Sequence, residues 1–138
     1  MAIVELTHEG ELRFTALSTR GAQITLDSEG EYFSPMQLLL AALGGCTGMD
    51  VVSILKKMRQ DVTGYRVEVD GVRADEHPRV WTEITIRHIV EGNNLQRAMV
   101  ERAVNLSEEK YCSISAMLKA TTIHTEIQIS QPAGIGGD

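Results

Sequence analysis

Apolar and polar positions alternate along the first 27 residues of this chain and then stop alternating. "IVELT" and "LRFTALST" each read as a strand, with "HEGE" (residues 8–11) as the turn between them. "AQITLD" follows across "TRG", so this stretch predicts a β-meander, and "SEGEY" after it predicts a loop. At Ser34 the pattern changes. "SPMQLLLAALGGCTGMDVVSILKKMRQ" is apolar nearly all round, which predicts a buried helix. Ser34 is a good N-cap, Pro35 suits the first helical position, and Gln37 completes a capping box. Lys56, Lys57 and Arg59 stand at the far end, where cations suit the helix dipole. At 1.5 Å per residue such a helix runs roughly 35 Å, enough to cross a small domain.

Alternation returns in "YRVEVDGVR" and "RVWTEITIRHIV", separated by the polar turn "ADEHP"; they predict an antiparallel pair. "NNLQRAMVERAVNLSEEKY" carries Leu95, Ala98, Met99, Arg102, Ala103 and Leu106 at helical spacing behind an asparagine cap. "CSISAMLKA" predicts a short helix and "TTIHTEIQIS" a closing strand. The order βββ-α-ββ-α-α-β segregates its elements, so the expected class is α+β with a mostly antiparallel sheet and a long buried central helix. Without a linker, repeat or low-complexity segment, residues 1–138 are expected to form a single domain, and the Pro/Gly-rich stretch 131–138 a flexible tail.

Composition narrows the function. The chain is 43% hydrophobic and 23% charged, an ordinary globular balance, but only 4% aromatic, so aliphatic side chains must build the core. The net charge is −6 and no basic run interleaves with aromatics, which argues against nucleic acid as a partner. The apolar runs read as shorter than the roughly 20 residues a bilayer needs, so no membrane association is expected. The amino-terminal residues lack a charged-then-apolar signal layout, and the expected location is the cytoplasm. Two cysteines in 138 residues make no disulfide scaffold.

Those two cysteines are the best candidates for chemistry. The histidines, at 8, 77, 88 and 124, do not pair with each other or with cysteine at ligand spacing, so no metal site is expected. "GGCTG" lacks the "GK[ST]" of a phosphate loop, and no helix follows "GIGGD". Gly44-Gly45-Cys46-Thr47-Gly48 does match a thiol version of the hydrolase elbow, with Asp50 and His124 as conceivable partners. That elbow needs a strand before the nucleophile, whereas the capping box makes this segment helical. Cys112 stands at or near a helix start, where the dipole lowers a thiol's pKa. Glycines at 44 and 48, one turn apart, let another element approach Cys46. The two thiols either meet or stay apart as inert core residues, a common fate of free cysteine.

"SPMQLLLAALGGCTGMDVVSILKKM", with "LSEEKYCSISAMLK" far downstream, resembles the OsmC/Ohr family of thiol-dependent peroxidases over nearly the whole chain. The resemblance implies an OsmC-like fold in an intertwined homodimer whose active sites draw on both subunits. It implies that Cys46 is the peroxidatic cysteine and Cys112 the resolving one. The substrate would be a small organic hydroperoxide. No cofactor is implied, only an external dithiol reductant, for which the resemblance suggests a lipoyl-type or other small dithiol. The family also uses an arginine from the N-terminal strands to support the thiolate; Arg20 is the best match by order and Arg13 the rival. One position departs. Where many members carry a glutamate that holds this arginine, ten residues before the first cysteine, this chain has Met36. Gln37 is turned about 100° from it on the helix, which leaves Glu29 or Glu31 as substitutes. Met36 keeps open an alternative: a non-catalytic dimeric module of the same fold that binds a small ligand or senses redox state.

Overall fold

The computed structural model describes residues 3–132. The chain divides into two compact units, Met1–Leu39 and Leu40–Asp138, the boundary falling inside the long helix.

In the first unit the meander forms as expected: β1 (Val4–Gly10), β2 (Arg13–Ser18) and β3 (Gln23–Leu26) pair antiparallel in chain order. The first turn is tighter than the sequence suggests. β1 continues to Gly10, and the reversal falls on Glu11 and Leu12. Gly10 (φ 115°) and Glu11 (φ 48°) supply the left-handed backbone this requires, and the His8 ring bonds the Glu11 carbonyl at 2.7 Å. After β3 the chain folds back on Asp27. This buried residue accepts the backbone N–H of Glu29 and of Tyr32 on Oδ1, each at 3.3 Å. The capping box of α1 (Pro35–Lys57) is made as predicted: Gln37 N–H donates to Ser34 Oγ at 3.1 Å, and Ser34 N–H donates to Gln37 Oε1 at 3.0 Å.

The second unit holds the rest of α1 and a three-stranded sheet of order β4 (Asp61–Arg73), β5 (Trp81–Asn93), β6 (Thr122–Ser130). β4 and β5 are the predicted antiparallel pair; at the end away from the turn they run further than the alternation marks, β4 starting at Asp61 and β5 ending at Asn93, whereas β5 begins at Trp81 rather than Arg79. β6 lies parallel to β5, because the chain returns to the sheet through helices rather than a hairpin. Those are α2 (Arg97–Leu106), a single π-helical turn (Ser107–Tyr111) and α3 (Ser113–Met117).

The expected asparagine cap of α2 is not what forms. Asn93 ends β5, Asn94 turns the chain with φ 51°, and Gln96 stands at the cap, its N–H donating to Gln60 Oε1 at 2.9 Å. The buried face of α2 is correspondingly Val100, Ala103 and Val104; Arg102 and Ala98 face solvent.

α1 lies on the sheet with a stripe of small and aliphatic residues: Leu43, Gly44, Thr47, Gly48, Val51 and Leu55. A Cβ on Gly44 would stand 2.9 Å from Val69 Cγ2, and one on Gly48 would stand 3.5 Å from the Tyr65 ring, so both glycines let the helix close down on β4. The opposite side is not buried in the protomer: Met49 is 77% exposed and Val52 49%. At 23 residues α1 is also long and apolar enough to cross a bilayer by length and composition, so its apolar run is not too short to span; a helix packed in a protein core passes the same test. The other sheet face is polar. There Arg87 bridges its in-register neighbours, Glu68 at 2.8 Å and Glu126 at 3.1 Å.

Candidate active site

α1 carries Cys46 in mid-helix, on the turn where glycine and threonine keep the stripe thin. The segment after α2 carries Cys112. Its N–H donates to the Ser107 carbonyl at 2.7 Å, the i→i+5 bond that makes the preceding turn a π turn; such turns recur at functional sites. The two cysteines, remote in sequence, are thereby brought together within one protomer. Both belong to a cluster built on Leu43, Ile84 and Ile86, close enough that Cys46 acts on the ionisation of Cys112. Cys46 is partly exposed and Cys112 buried.

The dipole argument for Cys112 does not hold. The residue is the N-cap of α3, but α3 has only five residues. Burial pushes the thiol pKa up, and the hydrogen bonds from Ser115 offset this only in part. The neighbouring Cys46 sulfur pushes it the same way. At neutral pH Cys112 is therefore held as the thiol.

A buried polar chain, not foreseen from the sequence, ties the two cysteine segments together. Ser107 Oγ donates to Asp50 Oδ2 at 2.9 Å and sits 2.8 Å from Thr47 Oγ1. With its one proton committed to the carboxylate, Ser107 must accept from Thr47. Thr47 follows Cys46 directly and Ser107 anchors the Cys112 turn, so this chain fixes the register of the thiols.

A cavity of about 210 Å³ opens beside Cys112, lined also by Leu43, Thr47, Ile86, Glu108, Ser115 and Ile123. Glu108 also escaped the sequence reading. Its Oε1 is buried without a hydrogen-bond partner, and burial, reinforced by Glu109, raises its carboxyl pKa. Roomier hollows exist, one of about 360 Å³ along Leu55, Val62 and Tyr65 and one of about 570 Å³ in the first unit between Gln23 and Gln37, but neither is lined by a thiol.

The hydrolase arrangement is not assembled. Cys46 lies inside a helix, not on a strand-to-helix elbow; Asp50 holds Ser107, and the exposed His124 ring contacts Glu83 at 3.3 Å. Of the other histidines, His88 is fully buried, its Nδ1 2.7 Å from the Tyr65 hydroxyl and its Nε2 unpartnered. Among the described residues no three His, Cys, Asp or Glu side chains gather as metal ligands would.

The arginines belong to the first unit. Arg20 is exposed in the turn between β2 and β3. Arg13 starts β2, donates to Glu31 Oε2 at 2.8 Å, lies 3.9 Å from Asp27 Oδ2, and stacks over the Tyr32 ring at 4.9 Å. Arg13 thus has an acid partner, Glu31, from the loop named in the sequence reading.

Residues 28–128 match the model of the family described as OsmC-like protein. Protein YhfA of Escherichia coli K12 is 47% identical over 110 residues, which cover 78% of this chain and 82% of that protein. A crystal structure of a hypothetical protein from Aquifex aeolicus superposes with a TM-score of 0.88 at 35% identity, over 96% of this chain and 98% of the other. The organic hydroperoxide resistance protein OhrB of Bacillus subtilis shares the fold, with a TM-score of 0.61 at 16% identity over 94% of this chain and 97% of its own. With its helix, its mixed and antiparallel sheets and its paired cysteines in this order, the chain belongs to the OsmC/Ohr family.

Proposed function

We propose that this protein reduces organic hydroperoxides, with Cys46 as the peroxidatic and Cys112 as the resolving cysteine. The observation that carries the reading is the meeting of the two cysteines in one apolar cluster of a single protomer, with a cavity of mixed polar and apolar lining beside Cys112. Cys46, the more accessible thiol, attacks the terminal oxygen of R–O–OH as its thiolate; the alcohol leaves and a sulfenic acid forms. Cys112 then displaces water to close the disulfide, and a dithiol reductant from outside the protein reopens it by exchange. Leu43, Ile86 and Ile123 line the cavity with hydrocarbon and so favour an organic tail over plain hydrogen peroxide.

The working unit in this proposal is a cytoplasmic homodimer. In the protomer Ile3, Val4, Leu6, Phe14, Leu17 and Ile24 of the meander are exposed, as are Met49 and Val52 on α1. That much uncovered apolar surface suits a second copy of the chain. For the arginine that supports the Cys46 thiolate, Arg20 is proposed from its order in the chain. Arg13 is a second reading, favoured by its Glu31 partner.

The test is a thiol titration after one equivalent of cumene hydroperoxide is added to reduced protein. Wild type is expected to lose both thiols within seconds. Cys46→Ser should keep its remaining thiol, and Cys112→Ser should stop at the sulfenic acid. Survival of both wild-type thiols for many minutes would sink the peroxidase reading and favour the non-catalytic binding module. Arg13→Ala and Arg20→Ala in the same assay assign the supporting arginine to whichever variant slows the first step.

A further inference from the structure

Closing the disulfide poses a problem that the cysteines do not solve alone. The attacking group must be a thiolate. Yet burial and the neighbouring sulfur keep Cys112 protonated, and its position at a five-residue helix does not reverse this. A base is needed within the same enclosure. The Cys112 cavity holds one ionisable oxygen acid, Glu108; its other described lining residues are hydrocarbon or carry a neutral hydroxyl. The inner oxygen of Glu108 has no hydrogen-bond partner, although it is shielded from solvent. A buried carboxylate oxygen without a donor carries the full cost of its desolvation, and such a group in a native fold calls for a reason.

We propose that Glu108 accepts the proton of the Cys112 thiol when the Cys46–Cys112 disulfide closes. The assignment rests on the peroxidatic reading of Cys46 for its place in turnover. In that step Cys112 Sγ passes its proton to the Glu108 carboxylate and attacks the sulfur of Cys46–SOH. The S–S bond forms as the S–O bond breaks, and the departing hydroxide takes the proton back from Glu108 and leaves as water. Glu108 ends as it began, and no further oxidant or reductant enters.

The surroundings favour the exchange. The titratable groups placed against Glu108 are Glu109, next to it in the π turn, and Cys112, on the same cavity; Asp50 holds the preceding residue, Ser107. Burial and Glu109 make Glu108 a stronger base than an ordinary carboxylate, which narrows the gap to the thiol it must deprotonate. The Thr47–Ser107–Asp50 chain holds the turn that carries it.

Two measurements on Glu108→Gln test this. With cumene hydroperoxide, dimedone trapping should show Cys46 sulfenic acid still forming and persisting longer than in wild type, and an unchanged urea midpoint reports an intact fold. Disulfide closure should be about 100-fold slower near neutral pH and should recover at higher pH, as Cys112 ionises unaided. Glu109→Gln should close at close to the wild-type rate near neutral pH, with the acid limb of its profile moved to lower pH. The second measurement needs no peroxide. Ellman's reagent reacts at the partly exposed Cys46 and releases one thionitrobenzoate; attack by Cys112 releases a second. That second phase should slow in Glu108→Gln by the same factor. A second phase in Glu108→Gln with the rate and pH profile of wild type, or no second phase in wild type, overturns the proposal. Absence of sulfenic acid in wild type, with a slowed second phase in Glu108→Gln, overturns the hydroperoxide reading alone.

Discussion

Two apolar clusters share α1 and the sheet β4–β5–β6, and they differ in the polar groups they hold. The one toward the end of the helix is aliphatic: Val51, Leu55, Val90, Leu95, Val100, Ala103 and Val104, with the Tyr65–His88 pair at its side. The one toward the start is smaller, built on Leu43, Ile84 and Ile86, and has both thiols in it and Thr47, Ser107, Asp50 and Glu108 around it. Each contains a polar atom without a partner, and here they diverge. His88 Nε2 is sealed in, and its ring responds by staying neutral, burial lowering its pKa to about 4. Glu108, whose Oε1 lacks a partner, lines the same cavity as the Cys112 thiol. Burial at the first site changes stability; burial at the second changes where a proton goes.

The largest effect expected from this contrast is on folding. Leu55 is 1% exposed in the aliphatic cluster, and Leu55→Ala should cost about 2–5 kcal/mol in urea unfolding. Where the variant is still folded, the rate of disulfide closure should match wild type. A closure rate that falls with Leu55→Ala would mean that the two clusters form one mechanical unit, and the contrast would break.

The next effect sharpens it with pH. A histidine titrates near 6.5 when unfolded; His88 in the fold titrates near 4. Between those values the unfolded chain binds the extra proton and the native one does not. Stability therefore rises with pH across this window: the contribution is complete above about pH 6.5 and is lost progressively as pH falls toward 4. The loss should be about 3 kcal/mol, and His88→Gln should flatten that part of the profile in a series of unfolding curves. Thiol chemistry measured above pH 7 should not respond to the titration. A stability profile in wild type that is flat from pH 6.5 to 4 would show that His88 is not held neutral.

Most of this scaffold was legible in the residue pattern, and the reasons are physical. Alternation in "LRFTALST" and "WTEITI", the Ser34–Gln37 box and the lysines at 56 and 57 are local signals, and they produced β2, β5 and α1 where expected. The parallel placement of β6 was not legible, since a closing strand's direction depends on the path through α2 and α3. The asparagine cap failed because Asp61 on β4 holds Asn93 at 2.9 Å, a tertiary contact that outweighs local preference. The cysteines themselves stood out as rare residues among glycines. Their supporting groups did not: Ser107 and Glu108 sit in a polar run that reads as helix surface, and only the π turn rotates them inward. The raised pKa of Cys112 was hidden for the same reason, because burial cannot be read from position at a helix start.

The smallest effect bears on the other face of the helix. Gly44 and Gly45 are neighbours in sequence and opposites in surroundings. Replacing glycine by alanine in a helix gains about 1 kcal/mol from backbone entropy. At Gly44 the new Cβ lands 2.9 Å from Val69 Cγ2, on a β-branched side chain that rotates poorly. Overpacking of that kind costs about 1–3 kcal/mol, so Gly44→Ala should come out destabilised by roughly 1 kcal/mol. At Gly45 nothing lies within 4 Å, and Gly45→Ala should gain about 0.5–1 kcal/mol in a dilute protomer. If a second copy covers the face of Gly45, Met49 and Val52, that gain must shrink or reverse as concentration rises and the interface has to accommodate a methyl group. Chemical denaturation of both variants across a range of protein concentrations reads the difference directly. A Gly45→Ala gain that stays the same at every concentration would remove the second copy from this side of α1, and the exposed apolar residues of the helix would then need a different partner.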